Sequence, residues 1–480
     1  MIARAARRSS PVLVALLALA CGDAGETREI ATVAAGEPPA AENDQEKSDD
    51  AGTATRRPPR PRPPAVKKLD GKSRRVASRR HSRPRRGRWR RLRSQYRRST
   101  LDAEQQRQIE QLEAIGYMQG SREAPSRSGV TIHEKAAAFS GLNLYVSGHA
   151  AEALLIDMRG NVLHRWARGF REVWPDAEVP GNVRNTRFWR WAEPLPDGGL
   201  IVIWEGQGIA RLDAESNVIW AALNRAHHEA ELAPSGAIYT LTRKAHVVPR
   251  VNEKSPILED FLVVLGPGGN ELHRVSLLEA FERAPEEYRR IWEESERRAG
   301  DIFHTNAVEL LDGRLANRIP AFAEGNVMIS SRFLDAIAVL DPEREKIVWA
   351  ARGEFARQHD PTILKNGRLL LFDNAGPKGR YSAVREYDPA SMRQIWKYRG
   401  SKQRPFFSAT CGTAQRLPNG NTLITESDAG RVLEVTRGGK IVWEFINPHR
   451  AGEDGRYVAT LFAMLRLPRS YFDRWSKSAR

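Results

Sequence analysis

The sequence predicts an all-β fold, a six-bladed β-propeller whose C-terminal strand closes blade one. Two observations predict this fold. A pattern of short strands that closes on Ile/Val-Trp recurs six times after Gly141, without helical periodicity between the copies. The first copy lacks its leading strand, and the C-terminus of the chain offers a segment that resembles one. A signal peptide and a disordered Arg/Pro-rich tether are expected to precede the propeller.

The trailing half of each repeat is an apolar strand, a polar turn and a strand that ends in tryptophan. The copies span residues 153–166, 209–220, 262–275, 336–349, 384–396 and 432–443. The closing positions are Trp166, Trp220, Val275, Trp349, Trp396 and Trp443. Ahead of most copies stands a strand, a turn that ends in glycine and another strand, as in PTILKNGRLLLF. Each unit therefore contains four short antiparallel strands.

The ring is expected to close through the C-terminus. The first copy begins directly with GLNLYVSGHAAEALLID, whereas ATLFAMLRLPRSYF (459–472) resembles the leading strand of the sixth unit, with Pro468 in the place of Pro418. Closure by this strand leaves no exposed blade edge at the junction. The propeller is therefore placed at residues 129–472. A charged helical insertion at 281–300, between blades three and four, is either a lid over the site or a surface excursion.

The N-terminus has the features of an export signal. Residues 1–20 combine a basic start with an apolar run that is too short to span a bilayer, which is typical of a secretory signal peptide. Cys21 directly follows and resembles a lipobox, so we expect a lipid anchor there and a protein of the cell envelope, periplasmic or at the outer membrane. The alternative is a plain cleaved signal. Only Cys411 remains in the mature domain, so its cysteines cannot form an intrachain disulfide.

The positive charge is concentrated in one segment. Between residues 56 and 98, twenty Lys and Arg accompany one acid, Asp70, which leaves −2 for the rest of a chain whose total is +17. Residues 22–99 lack apolar periodicity and predict a disordered tether. This tether is a solvated spacer or contacts an anionic envelope surface, and export makes nucleic acid an unexpected partner. A short helix is predicted over 100–120, with Thr100 as its N-cap.

Histidines recur at the start of the inner strand in three successive blades. His228 and His359 each lie eight residues before the turn glycine of their blade, and His304 lies nine before. Residues at matching distances from the turn lie at similar heights around the channel, so the three histidines are expected near one mouth. Arg190 has the same offset in blade two, and Arg332 follows a strand that returns to that mouth.

Two chemistries use histidine and arginine in this arrangement. Three histidines can bind a metal, and a three-histidine zinc site stays open although carboxylate or cysteine ligands are missing from the pattern. The other chemistry is an anion site, in which cationic groups surround a tetrahedral oxyanion while one imidazole acts as the nucleophile.

Over about residues 129–472 the chain resembles the bacterial arylsulfate sulfotransferase family. The resemblance rests on HHEAEL, FHTNAVELLDG, ISSRFLDAIAVLD, RQHDPTILKNGRLLLFDN and GTAQRLPNGNTLITES. It implies a six-bladed propeller that transfers a sulfuryl group from a phenolic sulfate ester to another phenol through a sulfohistidine, independently of a nucleotide sulfate donor. The implied partners are small aryl sulfates and phenols, with no cofactor and no metal.

By motif, the resemblance implies a role for five residues. His359 in RQHDP resembles the family nucleophile. His304 and Asn306 in HTN, with Arg332 in SSR, resemble oxyanion-binding partners, and His228 in HHE resembles the remaining catalytic histidine. We expect Arg190 to join them as a substrate-binding residue because of its offset.

Two aromatic residues complete the predicted site. Phe406 and Phe407, in the loop before blade six, either pack against a phenyl ring of the substrate or pack between blades. The chain departs from the family in two respects: it is too short ahead of blade one for a separate N-terminal β-domain, and the family's domain disulfide cannot form. A sulfotransferase, a metal-dependent hydrolase on the same scaffold and a non-catalytic propeller that binds a ligand or protein stay open as functions.

Overall fold

The structure, a computed structural model, describes residues 102–113, 120, 122–179, 183–376, 381–452 and 454–476. The predicted signal peptide, Cys21 and the tether at 22–99 lie outside the described residues. None of the described helices combines the length and the apolar composition that crossing a bilayer requires.

Six antiparallel sheets of four or five strands follow one another along the chain and form a six-bladed β-propeller, which confirms the predicted fold class. Blades one to three contain β2 (Leu142–Ser147), β3 (Glu152–Ile156), β4 (Val162–Ala167), β5 (Trp191–Pro194), β6 (Leu200–Trp204), β7 (Gly208–Leu212), β8 (Val218–Ala222), β9 (Ala226–Leu232), β10 (Ile238–His246), β11 (Ile257–Leu265) and β12 (Glu271–Ser276). Blades four to six contain β14 (Thr305–Leu310), β15 (Val327–Ser331), β16 (Ala336–Asp341), β17 (Lys346–Ala351), β18 (His359–Ile363), β19 (Leu369–Asp373), β20 (Ala383–Asp388), β21 (Arg393–Tyr398), β22 (Thr413–Arg416), β23 (Thr422–Glu426), β24 (Arg431–Val435) and β25 (Ile441–Ile446). The remaining strands are β1 (Gly129–His133), β13 (Gly300–Asp301), β26 (Arg450–Ala451), β27 (Tyr457–Val458) and β28 (Leu461–Leu467).

The C-terminal strand closes blade one. β28 pairs antiparallel with β2, from Leu142 opposite Leu467 to Ser147 opposite Leu461. The blade therefore has the strand order β28-β2-β3-β4. At the other side of the closure, β1 pairs with β25 as a fifth, outermost strand of blade six. Both ends of the propeller are thus tied into sheets, which satisfies their backbone donors and acceptors.

Four of the repeated tryptophans tie their own blade to the next one. On the outer strands, the indole N–H of Trp166, Trp220, Trp396 and Trp443 donates to a backbone carbonyl of the following blade, at Gly198, Pro267, Arg437 and Met158 respectively. Trp443 therefore connects blade six back to blade one. A buried indole N–H needs an acceptor, and this contact supplies one while the ring fills the space between sheets.

Four carboxylates and one amide link the inner strands from blade three through blade six to blade one. Acceptor oxygens of Glu229, Glu231, Glu309, Asp360 and Gln415 receive the backbone N–H of Val308, Leu310, Ile363, Ala414 and Arg466, each in the next blade. Burial raises the pKa of Glu231 to about 7, of Glu309 to about 8 and of Asp360 to about 7. The inner ring is therefore held by acids whose environment favours the protonated form.

In the part of the chain that the structure describes, five helices lie outside the repeat. They are α1 (Ala103–Glu113), α2 (Phe170–Val173), α3 (Leu277–Glu282), α4 (Glu286–Glu293) and α5 (Arg469–Trp475), and short 3₁₀ turns span Val183–Thr186, Pro320–Phe322 and Ser427–Ala429. The predicted helix at 100–120 corresponds to α1. Ile109 and Leu112 of this helix pack against Ala245 and Leu258 in the long hairpin of blade three.

The insertion between blades three and four packs on the propeller. Its helices α3 and α4 bury Phe281 and Trp292, and both rings lie against Phe303, at centroid distances of 5.4 and 5.0 Å. The first helix begins at Leu277, four residues before the predicted start of the insertion, because Ser276 accepts the Glu279 N–H and caps it. After α4 the chain enters β13, which pairs in parallel with the extended end of β11.

Candidate active site

The inner strands of blades three, four and five share an irregularity at one mouth of the channel. The pairing register of β9, β14 and β18 shifts near the start of each strand. His228, His304 and Asp360 have φ angles of 61°, 49° and 52°, in the left-handed region. Such a backbone costs about 1–2 kcal/mol for a residue other than glycine, and strained bulges are concentrated at functional sites. The bulges direct the mouth residues away from the regular alternation.

His359 has a fixed tautomer with one ring nitrogen available. Its Nδ1 lies 2.7 Å from Oδ1 of Asn374 and 3.1 Å from the carbonyl of Arg357. Both N–H groups of Asn374 are used, because Nδ2 donates to the carbonyls of Ser408 (2.9 Å) and Cys411 (2.6 Å). The amide therefore presents its oxygen, and His359 donates from Nδ1–H. Its Nε2 is buried without a hydrogen-bond partner among the described residues.

Burial and nearby cations keep this imidazole neutral. Burial is the main cause that holds the pKa of His359 well below its usual value, and the charges of Arg332 and Arg190 lower it further. The hydrogen bond to Asn374 acts in the opposite direction and does not offset the other causes. A neutral ring with Nδ1 protonated carries its lone pair on Nε2, which is the form a nucleophile requires.

His304 has a carboxylate where His359 has an amide. Its Nδ1 lies 2.5 Å from Oδ2 of Asp301, and its backbone N–H donates to Oδ1 of the same residue at 2.9 Å. The ring centroid is 5.2 Å from that of His228 and 5.1 Å from that of Phe333. The exchangeable position at Nε2 is therefore on the side of the ring away from Asp301.

His228 is paired with a second histidine that the spacing argument did not single out. The Nδ1 atoms of His227 and His228 lie 2.7 Å apart, so one ring donates to the other. Oε2 of Glu205 accepts the backbone N–H of His228, and its Oε1 lies 3.3 Å from Arg243. Burial is the main reason that the pKa of both histidines lies well below the usual value. The pair is therefore neutral and shares one proton across the short contact.

The two arginines reach the same cluster from different blades. Arg332 follows β15, and its backbone N–H donates to the carbonyl of His304 at 3.3 Å. Arg190, buried ahead of β5, lies with its guanidinium 5.3 Å from the ring centroid of Phe462. Each charge lowers the pKa of His359. The three histidines and Arg190, predicted from their offsets, are therefore brought together with Arg332, predicted from its place after β15.

Asn306 lies behind the histidines. Its side chain is fully buried, and Nδ2 donates to the carbonyl of Gln358, the residue before His359, at 2.9 Å. Oδ1 of Asn306 has no hydrogen-bond partner among the described residues. This contact couples the start of β14 to the start of β18 and leaves one polar atom of the amide for a further contact.

The two predicted aromatic residues lie elsewhere. Phe406 is buried between Phe372 and Tyr398, with both centroid distances at 5.5 Å, so its ring packs inside the blades. The ring of Phe407 lies 5.6 Å from the guanidinium of Arg122. The aromatic ring beside the histidines is instead Phe333, which is half-buried beside His304.

Phe333 lies between two cations. Arg297, from the segment after α4, stands 3.8 Å from its ring centroid, and Arg332 stands 5.1 Å from it. The insertion therefore contributes a charge next to the histidine cluster. A cavity of about 590 Å³ is lined by inner-strand residues that include Trp191, Thr362 and Leu465.

Two groups of side chains in the described ranges have the composition of a metal site. In Glu205, His227 and His228 the two imidazole nitrogens are 2.7 Å apart, which is a hydrogen-bond distance. In His149, Glu152 and His449 the two rings are stacked at 3.5 Å with 7° between their planes. Lone pairs in parallel planes do not converge on one ion, so as placed neither group forms a coordination shell.

The sequence profile of the family described as Arylsulfotransferase (ASST) matches residues 192–448, which is more than half of the chain. The chain belongs to this family. The match covers all of blades three to five, and with them the three histidines. It supports an aryl sulfotransferase activity with aryl sulfates and phenols as the substrate class.

Other comparisons are distant. No curated protein matches the chain. Similar solved structures include a protein of unknown function from Bacteroides caccae (10% identity, 68% of this chain and 98% of that one, TM-score 0.44) and a streptogramin B lyase (11%, 72% and 95%, TM-score 0.39). BamB from Moraxella catarrhalis matches with 10% identity, 72% and 95% coverage and a TM-score of 0.34.

Proposed function

We propose that the protein transfers a sulfuryl group from an aryl sulfate to a phenol, and that His359 carries the group between the two. The observation that carries this proposal is the state of His359. Its Nδ1–H is fixed by Asn374, its Nε2 has no hydrogen-bond partner among the described residues, and burial with two arginines keeps the ring neutral. A buried nitrogen with an unused lone pair beside cationic groups is suited to attack an anionic sulfate ester.

The first half-reaction forms the N–S bond. The lone pair of Nε2 on His359 attacks sulfur, the bond between sulfur and the phenolic oxygen breaks, and its electron pair passes to that oxygen, which takes a proton from Nε2 of His304. In the second half-reaction the acceptor phenol gives its proton to His304 while its oxygen attacks sulfur. The N–S bond then breaks, and its electron pair returns to His359. Atoms and charges balance over the cycle.

The surrounding groups stabilise the charge that develops. The sulfuryl oxygens gain negative charge in the transition state, and we expect Arg332 and Arg190, whose charges both act on His359, to stabilise these oxygens. Asn306 contributes by holding the start of β18, because its Nδ2 donates to the carbonyl of Gln358. The sulfated His359 ring is cationic and keeps Nδ1–H, which donates to Asn374. The ring of Phe333 is the aromatic surface nearest to this chemistry.

The two other functions fit the site less well. A metal-dependent hydrolase needs several donor atoms that converge on one ion, and among the described residues the groups close enough to do so contain neither His304 nor His359. A non-catalytic binding propeller does not account for three strained bulges with their histidines gathered at one mouth.

Intact-mass measurement after a single turnover tests the proposal. Incubation of the wild type with a nitrophenyl sulfate and no acceptor, followed by acid-free denaturation, should show an adduct with the mass of one SO₃ group, and a phenol should discharge it. His359→Gln should lose the adduct and at least about 10⁴-fold in phenol release, because an amide nitrogen is not nucleophilic. A wild type without adduct, or a His359→Gln variant with full transfer, would contradict the assignment.

A matched control uses a histidine outside the site. His273 lies on the outer strand β12 and contacts the carbonyl of Pro342 through Nε2 at 3.0 Å. His273→Gln keeps a donor for this contact. It should form the adduct at the wild-type rate, so that loss in His359→Gln reports the nucleophile and not the removal of any imidazole.

A further inference from the structure

Asp301 binds His304 at two points, through the backbone and through the ring. Oδ1 of Asp301 accepts the His304 N–H at 2.9 Å, and Oδ2 lies 2.5 Å from Nδ1. The first contact supports the left-handed backbone of His304, whose φ is 49°. The second fixes a proton on Nδ1 for as long as Asp301 is ionised, because a carboxylate can only accept. Proton exchange at His304 is therefore restricted to Nε2.

Asp301 is the ionised member of two adjacent acids. Burial would raise the pKa of Asp301, but the charges and hydrogen bonds of His304, with a contribution from Arg243, hold it below the usual value. Its neighbour Asp260 has a pKa raised to about 8, first by burial and then by the charge of Asp301. Two acids whose environments separate their pKa values hold one charge and one proton, and the charge lies next to His304.

Asp301 is delivered by parts of the chain outside the propeller repeat. It lies in β13 and pairs with Leu258 on the extended end of β11. The same extension supports α1, through contacts of Ile109 and Leu112 with Ala245 and Leu258. The insertion that precedes Asp301 is anchored by Trp292 against Phe303. The long hairpin, the insertion and α1 therefore together hold one carboxylate against the ring of His304.

We propose that Asp301 is a positioning residue that orients His304, so that Nε2 delivers a proton to the departing phenolate and receives one from the acceptor phenol. This inference rests on the proposed function. A carboxylate on Nδ1 fixes the tautomer and stabilises the imidazolium, as in other acid–base histidines. The effect of Asp301 is exerted through His304, because its two oxygens contact the backbone N–H and Nδ1 of that residue.

Donors that differ in their leaving phenol test this role. A nitrophenyl sulfate releases a nitrophenolate, which leaves without protonation by an acid. An alkylphenyl sulfate releases a phenol with a pKa of about 10, so its leaving oxygen needs a proton from His304. Asp301→Asn offers only one acceptor for the two donors of His304 and carries no charge. The rate of single-turnover adduct formation should fall about 10²–10³-fold with the alkylphenyl donor and less than about 10-fold with the nitrophenyl donor.

Two further variants separate positioning from a structural role. Asp260→Asn replaces the neighbouring acid, which holds the proton of the pair, by an amide of the same shape. Its rate of adduct formation should stay within about threefold of the wild-type rate for both donors. In a variant that already carries His304→Gln, adding Asp301→Asn should cause no further loss of rate, because the effects of two residues that act through each other are not additive. If Asp301→Asn does not fold, Asp301→Glu retains the charge at a different position and should show the same donor dependence.

The outcomes distinguish this inference from the proposed function. Equal losses with both donors, or additive losses in the double variant, would overturn the role of Asp301 while the wild-type adduct on His359 still supported the proposed function. Absence of that adduct in the wild type would overturn both. A loss confined to the alkylphenyl donor, with thermal unfolding unchanged, supports Asp301 as the residue that positions His304.

Discussion

Blades four and five bring a histidine to the same mouth of the channel and surround it differently. In blade four Nδ1 of His304 faces the carboxylate of Asp301, and in blade five Nδ1 of His359 faces the amide oxygen of Asn374. A carboxylate favours the charged ring, whereas an amide next to arginines and away from water favours the neutral ring. The same position of the repeat thus supplies a proton donor in one blade and a nucleophile in the next.

The two partners come from different parts of the chain. Asn374 directly follows β19 of its own blade, and the neighbouring Asp373 is held by a buried ion pair with Arg385 at 2.7 Å. Asp301 comes from the insertion that interrupts the repeat. In blade five the partner of the neutral histidine therefore belongs to the repeat itself. In blade four the charged partner, Asp301, lies outside the repeat.

The largest expected effect follows from making blade five resemble blade four. Asn374→Asp places a carboxylate on Nδ1 of His359, which favours the imidazolium and removes the lone pair of Nε2. It also removes the amide donor that the carbonyls of Ser408 and Cys411 share. We expect transfer near pH 7 to fall on the order of 10³-fold, with partial recovery at higher pH, and the free energy of unfolding to fall by about 1–3 kcal/mol.

Asn374→Ala provides the matched comparison for this charge. It removes the same hydrogen bonds without adding a carboxylate, so its activity should fall without the recovery at high pH. A pH–rate profile for each variant, together with thermal unfolding, separates the two effects. Identical profiles for the Asp and Ala variants would show that the charge of the partner does not determine the role of His359.

A smaller effect is expected from the cation that the two blades share. Arg332 belongs to blade four and lowers the pKa of His359 in blade five, after burial as the main cause. Arg332→Leu should slow transfer about 10²-fold, because it removes charge stabilisation from the sulfuryl oxygens. The pKa of His359 should rise toward its usual value, so the acid limb of the rate profile should move to higher pH.

Arg332→Lys tests whether charge alone suffices. Lysine keeps the positive charge but not the planar group of donors, so it should restore the position of the acid limb more fully than it restores the rate. Because the side chain of Arg332 is partly exposed, thermal unfolding should change little in either variant. A Leu variant with the wild-type rate and profile would contradict a role for Arg332 at the sulfuryl group.

The sequence predicts the shared features of the two blades better than their difference. The repeat length and the turn glycines give the histidine offsets, and the structure places His228, His304 and His359 together as those offsets require. The partners are harder to read, because Asp301 precedes His304 by three residues whereas Asn374 follows His359 by fifteen. Only the fold brings the second pair into contact.

Aromatic residues show the same limit. Phe406 and Phe407 precede blade six and were candidates by position, yet Phe406 is an interior residue between Phe372 and Tyr398. Phe333, directly after Arg332, is equally aromatic. Its ring lies beside His304 because its backbone N–H donates to the carbonyl of Phe303. Burial depends on blade packing, which a single repeat unit does not specify. The Asp301–His304 pair is separated by only three residues in the sequence, so this pair could have been predicted from the sequence.

The smallest expected effect concerns the contact between the inner strands of blades four and five. Both oxygens of Glu309 accept the backbone N–H of Ile363, at 2.8 and 3.0 Å, and burial raises the pKa of Glu309 from 4.5 to about 8. Between these two values the folded protein binds more protons than the unfolded chain. The stabilisation from this acid is therefore fully present below about pH 4.5 and is lost as the pH rises through about 8.

Glu309→Gln keeps an acceptor for Ile363 and cannot ionise. The variant should match the wild type in stability at pH 5 and exceed it at pH 9, by on the order of 1–3 kcal/mol, with an unchanged transfer rate. Gln415 already makes the equivalent contact with the N–H of Arg466 at 2.8 Å, so an amide is compatible with this position in the ring. Gln415→Glu is the reciprocal variant and should lose stability as the pH rises. Chemical denaturation at both pH values measures the four differences, and a Glu309→Gln advantage that is equal at pH 5 and pH 9 would show that Glu309 is ionised in the folded protein throughout this range.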